Sequence, residues 1–219
     1  MTFDDGPTNF TSGLLDVLKK YDVKATFFVS ANYSNYIGLI KRAYDEGHSI
    51  GVHSYSHNYY VIYSDSKLFF NDINKVNDII ERYTGKRSTL YRFPGGSLNS
   101  IAHTINNNII DELKLELESK GFVYFDWNVS SGDNGGTNTE LDFITNNMIN
   151  GILKHPQSIV LCHDTYKNII PATETVIKWG IENDYEFKTL TPDGFKVQFN
   201  SNHGSKTNSS TSPTLVNTN

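Results

Sequence analysis

Short β-branched or aromatic runs alternate with helical stretches along most of the chain, and this alternation limits the fold more than any single motif does. Strand candidates are Thr2 to Asp4, Ala25 to Ser30, Ser49 to Ser54, Leu90 to Phe93, Val123 to Trp127, Ser158 to His163 and Glu186 to Leu190. Helix candidates lie between them near Ser12 to Tyr21, Tyr36 to Glu46, Asp65 to Thr84, Ile109 to Lys120, Glu140 to Lys154 and Pro171 to Asn183. The third helix is the clearest, because Phe69, Ile73, Val76, Ile80 and Tyr83 step by three and four and line one apolar face. Gly47, Gly85 and Gly121 follow helix ends, where a left-handed cap is wanted. Such alternation predicts a parallel sheet with helices packed outside it. The strand count is one short of a closed eight-stranded barrel, so a distorted barrel is expected and an open doubly wound sheet is the alternative.

The rest of the composition narrows the class. At 219 residues, with 37% hydrophobic and 13% aromatic residues, the chain can fill one sizeable core. A formal charge of −5 and the lack of any basic run argue against a nucleic-acid or anionic-membrane partner. Cys162 is the single cysteine, which excludes an intrachain disulfide, and its default reading is a small buried hydrophobe. No apolar run approaches the roughly 18 residues that a membrane span needs. The start, "MTFDD", leaves almost no strand before its two acids, so upstream sequence with a signal or anchor is expected. One folded unit is expected over 1–199, and the Ser/Thr/Asn-rich residues 200–219 read as a disordered tail.

Polar residues that are unusual for their setting gather at the carboxyl ends of the strand candidates. Asp4 and Asp5 end the first, His53 and His57 the third, Arg92 the fourth, and His163 with Asp164 the sixth, while "NVSSGD" leads from the fifth to Asp133. In parallel β/α folds that edge is where ligands bind, so these positions would meet in one cleft. Each alone has a plainer explanation. Asp-Asp-Gly-Pro is a common turn, and a His pair four apart can be surface chemistry. Arg92 could serve only as an ion-pair partner, and Asp133 as a turn residue. Together they make a sharper pattern. Two histidines and one carboxylate suit a catalytic divalent ion with open positions, and a second carboxylate can then act as general base. His163 can act as general acid, with Arg92 and Asp133 tuning base and acid.

"TFDDGP", "HSYSH", "RFPGG", "DWNVSSGD" and "LCHD", in this order and spacing, resemble the five motifs of the NodB-type polysaccharide deacetylases, carbohydrate esterase family 4. The resemblance runs from residue 2 to about residue 195 and implies a distorted (β/α)7 barrel that removes acetyl groups from glycans with a metal. By resemblance Asp4 is the base, Asp5, His53 and His57 hold the metal, Zn²⁺ or another divalent ion such as Co²⁺, and His163 is the acid. Arg92 would contact Asp4 and Asp133 would orient His163. The Gly95 N–H would hold the oxyanion, and Leu161 would line the acetyl pocket. Two positions depart from the family pattern. Gly95 stands where many members have Tyr, and Asn134 where a Trp often follows the Asp. The wording is most like the peptidoglycan N-acetylglucosamine deacetylases of Gram-positive bacteria, which implies a glycan polymer as partner, an extracellular or cell-wall location and a monomer. An acetylxylan or chitin-oligomer deacetylase, a silent glycan-binding module and a two-carboxylate glycosidase are the alternatives. The last needs acids about 5 to 10 Å apart across a sugar bond, whereas Asp4 and Asp5 are adjacent.

Overall fold

The computed structural model describes residues 1–134 and 140–200; most of the expected tail, 201–219, lies outside them. In chain order the elements are β1 (Thr2–Asp4), α1 (Thr11–Lys20), β2 (Thr26–Ser30), a 3-10 turn at Ser34–Tyr36, α2 (Leu39–Asp45) and β3 (Ser49–Ser54). There follow α3 (Tyr59–Ile62), α4 (Ser66–Thr84), β4 (Leu90–Tyr91), α5 (Ser100–Ile105), α6 (Ile109–Ser119) and β5 (Val123–Tyr124). The last are β6 (Val129–Ser130), α7 (Leu141–Ile152), β7 (Val160–His163) and α8 (Ile169–Glu182). All pairings are parallel, and the strands run in the order β5-β4-β3-β2-β1-β7-β6. That is the cyclic order of a β/α barrel with the ladder left open between β5 and β6. The distorted seven-stranded barrel is therefore the fold, and the doubly wound alternative is excluded.

The expected seventh strand needs correction. Glu186 to Leu190 is not a strand; Leu190 instead crosses the amino ends of β2 and β3, where its N–H donates to Thr26 Oγ1 (2.8 Å) and its carbonyl accepts from Ser49 Oγ (3.1 Å). The seventh strand is β6, two residues inside "NVSSGD" that pair with β7. The short β1 is fully integrated, with β2 on one side and β7 on the other. The three expected glycine caps hold, with φ of 88°, 79° and 79° at Gly47, Gly85 and Gly121. No helix of the described residues is long and apolar enough to cross a membrane.

The period of two along each strand sorts side chains into two layers. Phe3, Phe27, Val29, Ile50, Val52, Tyr91, Val160 and Cys162 belong to the main core beneath the helices, which supply Leu14, Leu18, Phe69, Ile73, Val76, Leu113, Met148 and Val176. The alternate residues face the barrel interior. Its floor is a separate cluster of Phe28, Leu90, Phe125 and Ile159, closed by Leu190 and Val197. Gly51 is required there, because a Cβ would lie 2.5 Å from the Phe28 ring. Each fully buried large side chain contributes about 1.5–3 kcal/mol. Exposed pairs such as Lys41–Asp45 contribute about 0–1, so the apolar layers hold the barrel.

Candidate active site

Asp4, His53, Arg92 and His163 lie on the inner layer, at the carboxyl ends of β1, β3, β4 and β7. The register places Asp4 beside His163 on one flank and Phe28 on the other. Arg92 is fully buried, and its Nη1 donates to Asp4 Oδ1 (2.9 Å) and Thr2 Oγ1 (2.6 Å). Its Nε and Nη2 reach the carbonyls of Phe125 (3.0 Å) and Asp126 (3.1 Å), and its guanidinium stacks 4.3 Å from the Phe28 ring centre. The expected Arg92–Asp4 contact is thus formed. Thr2, which the sequence reading passed over, completes it by donating in turn to the Val160 carbonyl (2.7 Å).

Asp5 leaves the strand. Its φ of 75° is left-handed, a conformation rare for any residue but glycine, and this turns its carboxylate toward His53 and His57. Asp5 Oδ1 lies 3.4 Å from His53 Nε2 and 3.3 Å from His57 Nε2, and the three ligand atoms fall within 4.8 Å of one another. A tetrahedral ion with bonds of about 2.0 to 2.1 Å keeps its ligands about 3.3 to 3.4 Å apart, so the donor set fits a divalent metal. A second observation agrees: Asp5 Oδ1 is buried with no hydrogen-bond partner, which is costly unless a cation meets it. His53 Nδ1 sits 2.9 Å from the Arg92 carbonyl, which fixes Nδ1 as the donor and leaves the Nε2 lone pair for an ion. The pKa of His57 is lowered by burial and then by the neighbouring His53, the direction that favours the neutral imidazole a metal ligand needs. The spacing of four comes from a tight loop rather than a helix, with His57 also left-handed at φ 49°.

His163 is held as a unit with Asp133. Its Nδ1 is 2.8 Å from Asp133 Oδ1 and its backbone N–H donates to Asp133 Oδ2 (2.6 Å), leaving Nε2 for the cleft. Burial disfavours the imidazolium, but the hydrogen bond and charge of Asp133, with Asp4 and Asp5, outweigh it and push the pKa up to about 9. The sign follows directly. The stabilisation from this pair is fully present below about 6.5 and is lost as pH rises through about 9. With Asp133→Asn, burial acts on His163 unopposed by that partner, so the alkaline limb of the pH–rate profile is expected to move down by about a unit or more, with turnover lowered on the order of 10²-fold. An unmoved limb would show that the pair does not set the acid.

Leu161 lies on the inner layer one step below His163, in register with Thr2, and is buried. Gly95 is left-handed at φ 75°, and a Cβ there would meet Asn99 Nδ2 at 2.6 Å and Tyr59 Oη at 2.9 Å. A Tyr at this position would be strained at that φ, and the Asn99 and Tyr59 side chains would have to shift to admit its Cβ. Asp164 is buried beneath the Asp5–Gly6 turn, where a Cβ on Gly6 would lie 2.0 Å from its Oδ2. It accepts from the Thr11 hydroxyl, and burial first, with the charge of Asp5 and then Asp4, raises its pKa to about 7. Trp127 is half-buried, stacked 5.8 Å from the Arg92 guanidinium and edge-on to Phe199.

Comparison with known proteins agrees with this geometry. A family model described as "Polysaccharide deacetylase" matches residues 1–110. A peptidoglycan-N-acetylglucosamine deacetylase of Bacillus cereus is 31% identical over 204 residues, which cover 91% of this chain and 71% of that protein. The peptidoglycan-N-acetylglucosamine deacetylase PgdA of Listeria monocytogenes is 32% identical across 95% of this chain, which spans only 41% of it. Among solved structures, the catalytic domain of a peptidoglycan N-acetylglucosamine deacetylase from Eubacterium rectale superposes with a TM-score of 0.90 at 40% identity, covering 92% of both chains. With the barrel, its open ladder and the clustered site already in place, these matches establish that the chain belongs to the polysaccharide deacetylase family, hydrolases that depend on a metal.

Proposed function

We propose that this chain removes the acetyl group from N-acetylglucosamine residues of peptidoglycan, with zinc as the metal, on the extracellular side at the cell wall. The observation that carries the reading is the orphaned Asp5 Oδ1, set 3.3–3.4 Å from two imidazole nitrogens and flanked by the Asp4–Arg92 and His163–Asp133 pairs. The names of the relatives supply the glycan.

Asp5, His53 and His57 would hold a zinc ion, which would supply Lewis-acid polarisation of the acetyl carbonyl and lower the pKa of water in the site. In this reading Asp4 takes a proton from the water that adds to the acetyl carbon, while Arg92 keeps the carboxylate in place. The Gly95 N–H, which has no hydrogen-bond partner among the described residues, donates to the developing oxyanion. The C–N bond then breaks as His163 gives its proton from Nε2 to the amine nitrogen, and acetate and a free amine remain. Leu161 offers the acetyl methyl an apolar wall. The raised pKa of His163 suits this role, since the ring carries its proton at neutral pH.

Incubating zinc-loaded protein with peptidoglycan fragments, chitin oligomers and acetylated xylan, followed by mass spectrometry, tests the proposal. A mass loss of one acetyl, assigned by fragmentation to N-acetylglucosamine of the peptidoglycan fragment and abolished by chelation, is expected. Loss confined to muramic acid, chitin or xylan would move the substrate elsewhere. Activity that survives chelation would sink the metal reading.

A further inference from the structure

The segment between the two histidine ligands, Ser54-Tyr55-Ser56, leads from the end of β3 to His57, which it must hold in a left-handed conformation. A non-glycine residue there is disfavoured by about 1–2 kcal/mol, so the surrounding structure has to over-determine it. One side chain outside the ligand set does this. Asp72 lies on the inward face of α4, between Phe69 and Val76 in the apolar stripe, and is only 7% exposed. Its Oδ2 accepts from Ser54 Oγ (2.7 Å) and the Tyr55 N–H (2.7 Å), and its Oδ1 accepts from the Ser56 N–H (2.9 Å) and Ser56 Oγ (2.7 Å). Ser54 Oγ in turn accepts from the His57 N–H (2.9 Å). The chain of contacts therefore runs from α4, through one hydroxyl, to the backbone of the ligand.

A carboxylate is an expensive choice for the inner face of a helix. Among the described residues no Lys, Arg or His lies within ion-pair distance of Asp72, so hydrogen bonds alone compensate its charge. An apolar residue would suit the stripe better as packing. What the carboxylate supplies is a pattern no apolar residue can: two acceptor oxygens that each take one backbone N–H and one hydroxyl, which fixes three consecutive residues. His53, on the other side of the same segment, is the penultimate residue of β3 and is held by the Arg92 carbonyl. The loop is thus anchored at both ends and clamped in the middle.

We propose that Asp72 is a positioning residue for the metal site, setting the affinity for the ion by fixing His57 through Ser54 and the Tyr55–Ser56 backbone. The inference rests on the metal-site reading above, but not on the identity of the glycan. Its test is the zinc dissociation constant of the folded protein, measured by competition with a chromophoric chelator for the parent, Asp72→Asn, Ser54→Ala and His57→Ala. In Asp72→Asn the amide N–H₂ must face one of the two backbone N–H groups, so at least that bond is lost and a hydroxyl must turn to accept, and zinc affinity is expected to fall about 10- to 100-fold, the range for groups behind a ligand. Ser54→Ala keeps the bonds to Tyr55 and Ser56 and removes only the relay to His57, so a smaller loss is expected, of about 3- to 10-fold. His57→Ala, which removes the ligand itself, sets the scale. Circular dichroism at the titration temperature confirms folding, and Ser54→Ala decides the question if Asp72→Asn does not fold. A purely structural Asp72 would lower the melting temperature and leave the zinc affinity of the folded protein unchanged. Affinities within about 2-fold of the parent for the folded variants would overturn the proposal. Absence of deacetylation with these affinity losses intact would count against the proposed function and leave this inference standing.

Discussion

Replacing Asp4 with Asn is expected to leave zinc bound and to lower deacetylation by about 10² to 10⁴-fold, the range for losing a general base. Asp5→Ala is expected to do the reverse in kind: zinc affinity drops by a large factor and excess metal restores part of the activity. The two acids are neighbours in sequence but not in environment. Asp4 is the last residue of β1, with a strand conformation that points it into the barrel, where Arg92 engages Oδ1 at 2.9 Å. Asp5 is the first residue beyond the strand, and its left-handed φ aims it at the imidazoles. Ser30 at the end of β2 holds this turn by donating from its hydroxyl to the Asp5 carbonyl and from its N–H to the Gly6 carbonyl (2.8 Å). Asn at position 4 can still accept from Arg92, so the turn and all three ligands stay, but a neutral amide cannot take a proton. Zinc content by atomic absorption, together with turnover for both variants, checks the assignment. If Asp4→Asn came out metal-free and Asp5→Ala metal-replete, the roles would be reversed.

The site was legible in the sequence because its chemistry sits at strand ends, and strand ends are what a period-two run followed by Gly, Pro or Ser marks. Asp4, His53, Arg92 and His163 all follow apolar runs, so their convergence needed only the parallel topology. What the sequence hid was of two kinds. Elements shorter than two periods leave no periodic signal: β6 has two residues, α3 four and α5 six. The caps Asn58 and Asn99, whose side chains accept from the first turn of α3 and α5, were the readable trace of those helices. Conversely, Glu186 to Leu190 alternates like a strand, but its backbone partners are side-chain hydroxyls at the bottom of the barrel.

The second kind is support at a distance. Asp72 and Asp164 look like solvent-facing acids when read singly, yet both are buried: Asp72 bonds to the turn between His53 and His57, and Asp164 packs beneath the Asp5–Gly6 turn and accepts from Thr11 at the start of α1. For Asp72 a signal did exist, since it stands three after Phe69 and four before Val76 within the stripe that marks α4 as packed. A charged residue inside an apolar stripe is informative because the helix cannot turn it to water without exposing its neighbours.

Arg92→Met is expected to destabilise the metal-free protein by about 3–5 kcal/mol, the cost of stranding a buried partner charge. For a domain of this size that is a fall in melting temperature of very roughly 6–20 °C. The guanidinium is fully buried and serves four acceptors on two parts of the barrel: Thr2 and Asp4 on β1, and the carbonyls of Phe125 and Asp126 just past β5. Met keeps much of the volume and the contact with Phe28, so packing loss is small and the unsatisfied acceptors dominate. Arg92→Lys is not expected to rescue it, because a point charge on a flexible stem cannot meet acceptors that the planar fork reaches from β1 to β5. The decisive measurement is a double-mutant cycle with Asp4→Leu, read by chemical denaturation in chelator. If the loss in Arg92→Met comes from the stranded carboxylate, the double variant loses clearly less than the two singles together, by about 1–3 kcal/mol. Strict additivity would mean that the carbonyls past β5, and not Asp4, are what Arg92 holds, and the part of Arg92 would then be to fasten the open edge of the barrel rather than to fix the base.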